Sequence, residues 1–367
     1  MASPSSFFQP SFSGVLARFR SRALLASLFL PLVGCASCGQ QSLCTFRGTV
    51  NAPENRTMRR NLMAKGLDQF CRQMLSRNAP LRLQNDQPVI GRFYPSQCNQ
   101  MEMGNGDLYV RFSGPGYGYT NITKKLAFTM SGAVQYNQDF LVAEDECNIY
   151  GYFRPRNVQS SDFKITRIEQ EMASFINQLN PMGDSFGQQL VAGKLKDGFT
   201  VIQLSDGSSE FGLGMIPLGK RTPKKVMVRS DGRMTYENDR VEVHQGERDF
   251  IGPIEITEGG QALYLTFKVD GGVPVDAFVM TKFAGDQALR QYLDLPQPAA
   301  FPQPAFWTDV VPAQMPDYRR TIPLAPGMYY VVLDNTNTAG AVAPPQGNPG
   351  GDAAALVDYA IQIGEAP

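Results

Sequence analysis

The chain contains one histidine, His244, in Val243-His244-Gln245-Gly246 at the end of a run with strand periodicity. A Ser-His-Asp device needs a base that titrates near neutrality, so any such site must use this residue. No Gly-x-Ser-x-Gly elbow accompanies it, and it reads as a turn or surface histidine. Ser161-Asp162-Phe163-Lys164 has the Ser-x-x-Lys spacing by which a helical lysine activates a serine, but neither Ser-Asp-Asn nor Lys-Thr-Gly follows. Glu144-Asp145-Glu146 offers hard oxygen ligands of the kind calcium takes, without the spacing of an EF-hand loop, and reads as solvated acids in a turn. No glycine-rich loop leads into a helix and a lysine to cradle a phosphate. The inventory points to a non-catalytic protein and implies no cofactor and no metal.

Sulfur chemistry is better represented. Cys35, Cys38, Cys44, Cys71, Cys98 and Cys147 all lie in the first half of the chain. Ahead of them, residues 1–34 carry Arg18, Arg20 and Arg22 but no acid, followed by the apolar run from Ala23 to Val33. That run, about 11 residues, is too short to cross a ~30 Å hydrocarbon core as a helix and has the length and basic flank of a secretory signal.

Leu32-Val33-Gly34-Cys35 resembles the lipobox of bacterial lipoproteins, in which the cysteine receives diacylglycerol before cleavage and becomes the first residue of the mature chain. The resemblance implies a signal peptide over 1–34, lipidation (including palmitate) at Cys35, and a bilayer as partner. Stable anchoring takes at least two acyl chains, at ~0.8 kcal/mol per buried methylene, and a bacterial lipoprotein carries several. Residue 36 is alanine, not aspartate, which by the sorting rule of enteric bacteria implies an outer-membrane address, on the periplasmic face or the cell surface. In an exported chain the remaining Cys38, Cys44, Cys71, Cys98 and Cys147 read as candidate disulfide cysteines, two bonds with one residue left over and the pairing open. With 34 Lys+Arg against 34 Asp+Glu in the full chain, and three fewer arginines after cleavage, there is no basic excess for nucleic acid.

These groups must be positioned by the rest of the chain. Residues 35–56 are polar and read as a lipidated tether. From Thr57, Met58, Leu62, Leu67, Phe70, Cys71, Met74 and Leu75 form one helical apolar stripe. Leu108, Val110 and Phe112, then Leu126, Phe128, Met130, Val134 and Tyr136, alternate as half-buried strands, with further strands near 139–144, 147–154 and 162–168 and Gly114-Pro115-Gly116 as a breaker. Ile168, Met172, Phe175, Ile176 and Leu179 form a second helical stripe. Asp206-Gly207 between apolar runs marks a hairpin. The reading is an α+β domain over 57–235, an antiparallel sheet flanked by amphipathic helices. If that sheet and its helices do not close fully, Phe70, Met74, Leu126, Phe128, Met130, Val134, Met172 and Phe175 line an apolar pocket suited to a lipid tail. The bland alternative is a filled core.

The last 130 residues alternate with period two between Gly, Pro and Asp turns, as an all-β sandwich over 236–365 does. Its segment Pro323 to Thr336, a tyrosine-rich strand ending in Asp334-Asn335, resembles GOLD-type and related jelly-roll-like modules, which implies a non-catalytic interaction module. The expected function is therefore that of a membrane-anchored lipoprotein acting as a binding or assembly module of the cell envelope, with an envelope protein as partner. The alternatives are a carrier of a lipid or other hydrophobic ligand in residues 57–230, and a hydrolase.

Overall fold

The computed structural model describes residues 42–66, 70–84, 86–120, 124–169, 197–205, 209–221, 224–228, 232–342 and 354–367. The described chain opens on helical residues 42–45, followed by α1 (Arg47–Asn51), α2 (Arg56–Gly66) and α3 (Phe70–Leu75), with a 3-10 turn at Pro53–Asn55. An eight-stranded sheet follows. Its strands are β1 (Ala79–Leu81), β2 (Gly91–Phe93), β3 (Gln97–Glu102), β4 (Leu108–Thr120), β5 (Lys124–Val142), β6 (Ile149–Ile168), β7 (Phe199–Gln203) and β8 (Ser209–Leu213). They lie in the order β1-β2-β4-β5-β6-β7-β8, and β3 pairs with another part of β4. Every pairing is antiparallel.

Strands make up 53% of the described residues and helices 15%, so the fold is mainly antiparallel β, with less helix than the α+β expectation. The reason lies in the middle strands. Runs that read as separate short strands fuse into the 19-residue β5 and the 20-residue β6. Gly114-Pro115-Gly116 does not break β4 but lies within it. A Cβ on Gly114 would sit 2.1 Å from the Tyr94 carbonyl oxygen, and one on Gly116 would meet the Phe128 ring at 2.4 Å. The glycines there serve close approach. The second helical stripe from Met172 onward lies outside the described residues.

Residues 47–55, expected within a tether, are docked on the sheet. The side-chain amide of Asn51, at the end of α1, pairs with the backbone of Val142, its Nδ2 donating to the carbonyl at 2.8 Å while its Oδ1 accepts from the amide at 2.9 Å. Arg59 forks onto Asp139 and donates to the carbonyls of Val50 and Ala52. Cys44 is bonded to Cys147 in the β5–β6 turn, and Cys71 of α3 to Cys98 of β3. These bonds meet the expectation of two disulfides and fix their pairing.

The C-terminal half is a sandwich of two four-stranded antiparallel sheets. It comprises β9 (Met234–Val243), β10 (Glu247–Ile256), β11 (Gln261–Asp270), β12 (Val275–Thr281), β13 (Trp307–Val311), β14 (Tyr318–Pro323), β15 (Gly327–Asn335) and β16 (Ala355–Glu365). The orders are β10-β15-β12-β13 and β14-β11-β16-β9. Val241, Ile254, Leu265, Phe267, Val331 and Ile361 are among the residues that fill the space between them.

A helix absent from the sequence reading, α4 (Lys282–Asp294), is capped by Thr281 and buries Ala284, Ala288, Leu289 and Tyr292. It covers the outer face of the β10-β15-β12-β13 sheet together with Tyr94 and Tyr117 of the N-terminal sheet. Gly285 within it admits no side chain, since a Cβ would lie 2.2 Å from the ring of Tyr330.

The two halves meet through a buried polar seam. Arg92 of β2, fully buried, forks onto Asp249 of β10 with both bonds at 2.8 Å, and also donates to Tyr359, Glu237 and Asn78. Tyr117 donates to the same carboxylate at 2.8 Å and accepts from the Phe250 amide, while Tyr94 donates to the Phe250 carbonyl at 2.6 Å. Val89 adds a backbone pair to β9, its amide on the Arg240 carbonyl and its carbonyl on the Glu242 amide. Arg82 forks onto Asp239 beside it. Burial alone would lower the Arg92 guanidinium, but Asp249, with Tyr359 and Glu237, holds it well above its ordinary value.

Removing one member of such a pair leaves the other charge buried and unpaired, at about 3–5 kcal/mol. Arg92→Met is expected to cost about that much in urea unfolding, whereas the double change Arg92→Met with Asp249→Leu recovers most of it. Cutting the Cys44–Cys147 bond by Cys147→Ser frees a loop of sequence separation 103 and is expected to cost about 4–5 kcal/mol by the same measurement.

Candidate functional site

The strands β4, β5 and β6 are long enough for three different surroundings along one face. Side chains alternate across a pleated strand. One face carries the cluster that includes Phe112, Leu126, Phe128, Met130, Val134 and Tyr136. The opposite face carries Arg92, Tyr117, Tyr119 and Lys125 at one end, and these lie under the sandwich and α4. At the other end it carries Tyr150 and Tyr152, which group with Ile202 and Leu204 and are closed over by Met215 and Ile216 of the chain after β8.

Between those two covers the face is open among the described residues. Gln97, Ser113, Ser131 and Asp162 stand in register across β3, β4, β5 and β6. The next row has Asn99 and Arg111 in register, and on the other side Pro115, Thr129 and Lys164 align. Gln97, Asn99, Arg111, Thr129, Asp162 and Lys164 are exposed, and Ser113 and Ser131 half-buried. The Ser113 hydroxyl donates to Gln97 Oε1 at 3.1 Å. This floor of amides, hydroxyls, cations and one carboxylate measures about 14 Å along the strands and about 15 Å across four of them. It is walled at both ends of the strands.

Of the residues singled out by chemistry, Asp162 and Lys164 fall on this floor and the others elsewhere. His244 is buried in the seam, not on the surface: its ring stacks on Tyr119 at 3.4 Å between centroids, and Nε2 lies 3.5 Å from Glu242 Oε1. An aromatic plane from the other half covers it, which its local sequence does not foretell. Ser161 and Lys164 lie on strand β6, not a helix. Glu144 pairs with Arg47, and Glu146 with Arg221. Among the described residues no group of three or more His, Cys, Asp or Glu is placed to hold a metal ion.

Of the proposed pocket residues, Phe70, Met74, Leu126, Phe128, Met130 and Val134 share one apolar cluster, with Phe70 of α3 against Phe153 and Phe199 at 5.7 and 5.9 Å between ring centroids. Met172, Phe175, Cys35 and Cys38 lie outside the described residues. Among the described residues no helix is long and apolar enough to cross a membrane.

Lys125 closes the seam beside the floor. Its Nζ donates to the carbonyls of Tyr292 and Leu295 at the C-terminal end of α4, at 3.1 and 2.9 Å, and stands 4.2 Å from the centre of the Tyr292 ring. A cation there complements the negative end of the helix dipole. Burial pushes this ammonium down to about 8, against the opposing pull of Glu169 and Glu247.

No family model matches the chain, and no curated protein does. Among solved structures, a chain reported under "Bacillus endospore appendages form a novel family of disulfide-linked pili" aligns over 39% of this chain and 100% of its own, at 11% identity and a TM-score of 0.21. A chain of infectious bursal disease virus, Gx strain, aligns over 78% of each at 9% identity and a TM-score of 0.20. At such scores neither bears on fold or function.

Because the folded Lys125 titrates near 8 and an unfolded lysine near 10.4, the unfolded chain binds more protons between those values. This group therefore makes stability rise with pH across that window. Urea unfolding from pH 8 to about 9.5, below the ordinary range of tyrosine, is expected to show that rise in the native chain and to lose it in Lys125→Met.

Proposed function

We propose that this chain is a lipid-anchored protein of the bacterial envelope, tethered through an acylated Cys35 and acting as a non-catalytic binding or assembly module. Its address in this reading is the outer membrane. The observation that carries the reading is where the chain enters the folded body. Cys44, nine residues beyond Cys35, is bonded to Cys147 in the turn that joins β5 to β6, whereas the sandwich is held by Lys125 and its neighbours at the far end of β5. About 55 Å of strand separates Lys125 from Val142.

A bilayer attached at Cys35 would lie toward the turn, with the sandwich away from it. The disulfides suit an oxidising compartment outside the cytosol. The walled polar floor on β3–β6 offers the surface for a partner, since its side chains are set by backbone register. In this reading the apolar cluster under α3 supports that floor from behind.

Mass spectrometry of the native protein tests the anchor. The expected product begins at Cys35 and carries diacylglyceryl and acyl groups, and Cys35→Ser is expected to leave the envelope fraction. A cleaved product with an unmodified Cys35, or a Cys35→Ser variant that still sediments with envelopes and matures normally, would contradict it.

A further inference from the structure

We propose that the open floor of the eight-stranded sheet binds an anionic polysaccharide laid across the strands from β3 to β6. The inference rests on the binding-module reading and names the chemistry of its partner. Arg111 and Lys164 are exposed on this floor and Asp162 is the acid exposed with them, while Arg154 lies further along β6 toward Tyr152. Charge complementarity therefore favours a polyanion.

The remaining floor groups suit the hydroxyls of a sugar. Gln97, Ser113 and Ser131 form a lateral row of amide and hydroxyl groups across three strands, each able both to donate and to accept. Adjacent strands repeat at about 4.8 Å, close to the advance of one pyranose along an extended chain, so successive sugars would meet successive strands. Shape separates this partner from a membrane. The sandwich rises at one end of the strands and the segment bearing Ile216 at the other, so a flat bilayer cannot reach the floor, whereas a single chain can cross between the walls.

The test uses the native full-length protein in detergent, with polygalacturonate as the probe, dextran as its neutral counterpart and vesicles containing phosphatidylglycerol as the membrane arm. Polygalacturonate is expected to bind, with affinity falling as salt rises, and dextran to bind far more weakly. Reversing two cations, Arg111→Glu with Lys164→Glu, is expected to weaken binding roughly tenfold and to flatten the salt dependence, with an unchanged unfolding midpoint. Removing hydroxyls, Ser113→Ala with Ser131→Ala, is expected to weaken it at all salt concentrations alike. Cys35→Ser is expected to keep the glycan affinity, so that failure of the anchor and failure of the floor are told apart. Equal binding of dextran, preference for the vesicles, no binding of polygalacturonate at low salt, or full affinity in the charge-reversed variant would each overturn the proposal.

Discussion

A guanidinium that water does not reach needs a carboxylate at contact distance, and for Arg92 that carboxylate belongs to the other half of the molecule. Arg92 stands on β2 and Asp249 on β10, 157 residues apart in sequence. Neither can be buried without its partner, because the cost of an isolated buried ion far exceeds what one domain gains by folding around it. Tyr117, Tyr359 and Glu237 fill the remaining donor and acceptor positions, so the seam is a satisfied network and not a lone ion pair. The same residues tie the two sheets to one orientation. A purely apolar interface would hold the halves together with less control over their angle.

The geometry of the rest follows from that restraint. With the sandwich fixed over Tyr117 and Lys125, it stands as a wall on one face of the long hairpin, and the chain after β8 closes the opposite end over Tyr150 and Tyr152. The floor between them carries polar side chains that stand exposed or half-buried. Its reverse face is committed to the aromatic cluster of Phe112, Phe128, Phe153 and Phe199, so substitutions on the floor are separated from the core by the thickness of one sheet. The Cys44–Cys147 bond places the amino-terminal entry at the end of the hairpin away from the seam.

Much of this was legible in the sequence, and what was not has definite physical causes. Period-two runs such as Leu263/Leu265/Phe267 and Val357/Tyr359/Ile361 announce strands because each side chain answers to its own face. The pairing of the cysteines was open, since spacing alone does not say which turns meet. Helix α4 was hidden because its buried face is built from Ala284, Gly285 and Ala288 beside Leu289 and Tyr292, a stripe too small-sided to stand out. Gly114-Pro115-Gly116 looks like a stop because local propensity favours one, and long-range pairing with β2 and β5 overrides it. The seam was invisible for a different reason. Arg92, Asp249 and Glu237 read as ordinary surface charges, and only tertiary pairing buries them. The floor likewise exists in no local segment, because its rows are assembled across four strands.

Native-state hydrogen exchange at the seam tests the central claim most directly. The amides of Val89, Glu242 and Phe250 are bonded across the junction, at 2.8, 3.0 and 2.8 Å. If the two halves form one cooperative body, these amides exchange with the same free energy as the interiors of β5 and β16, through global unfolding alone. Seam amides that exchange at a distinctly lower free energy, while both interiors stay protected, would show two bodies that part freely and would contradict the account.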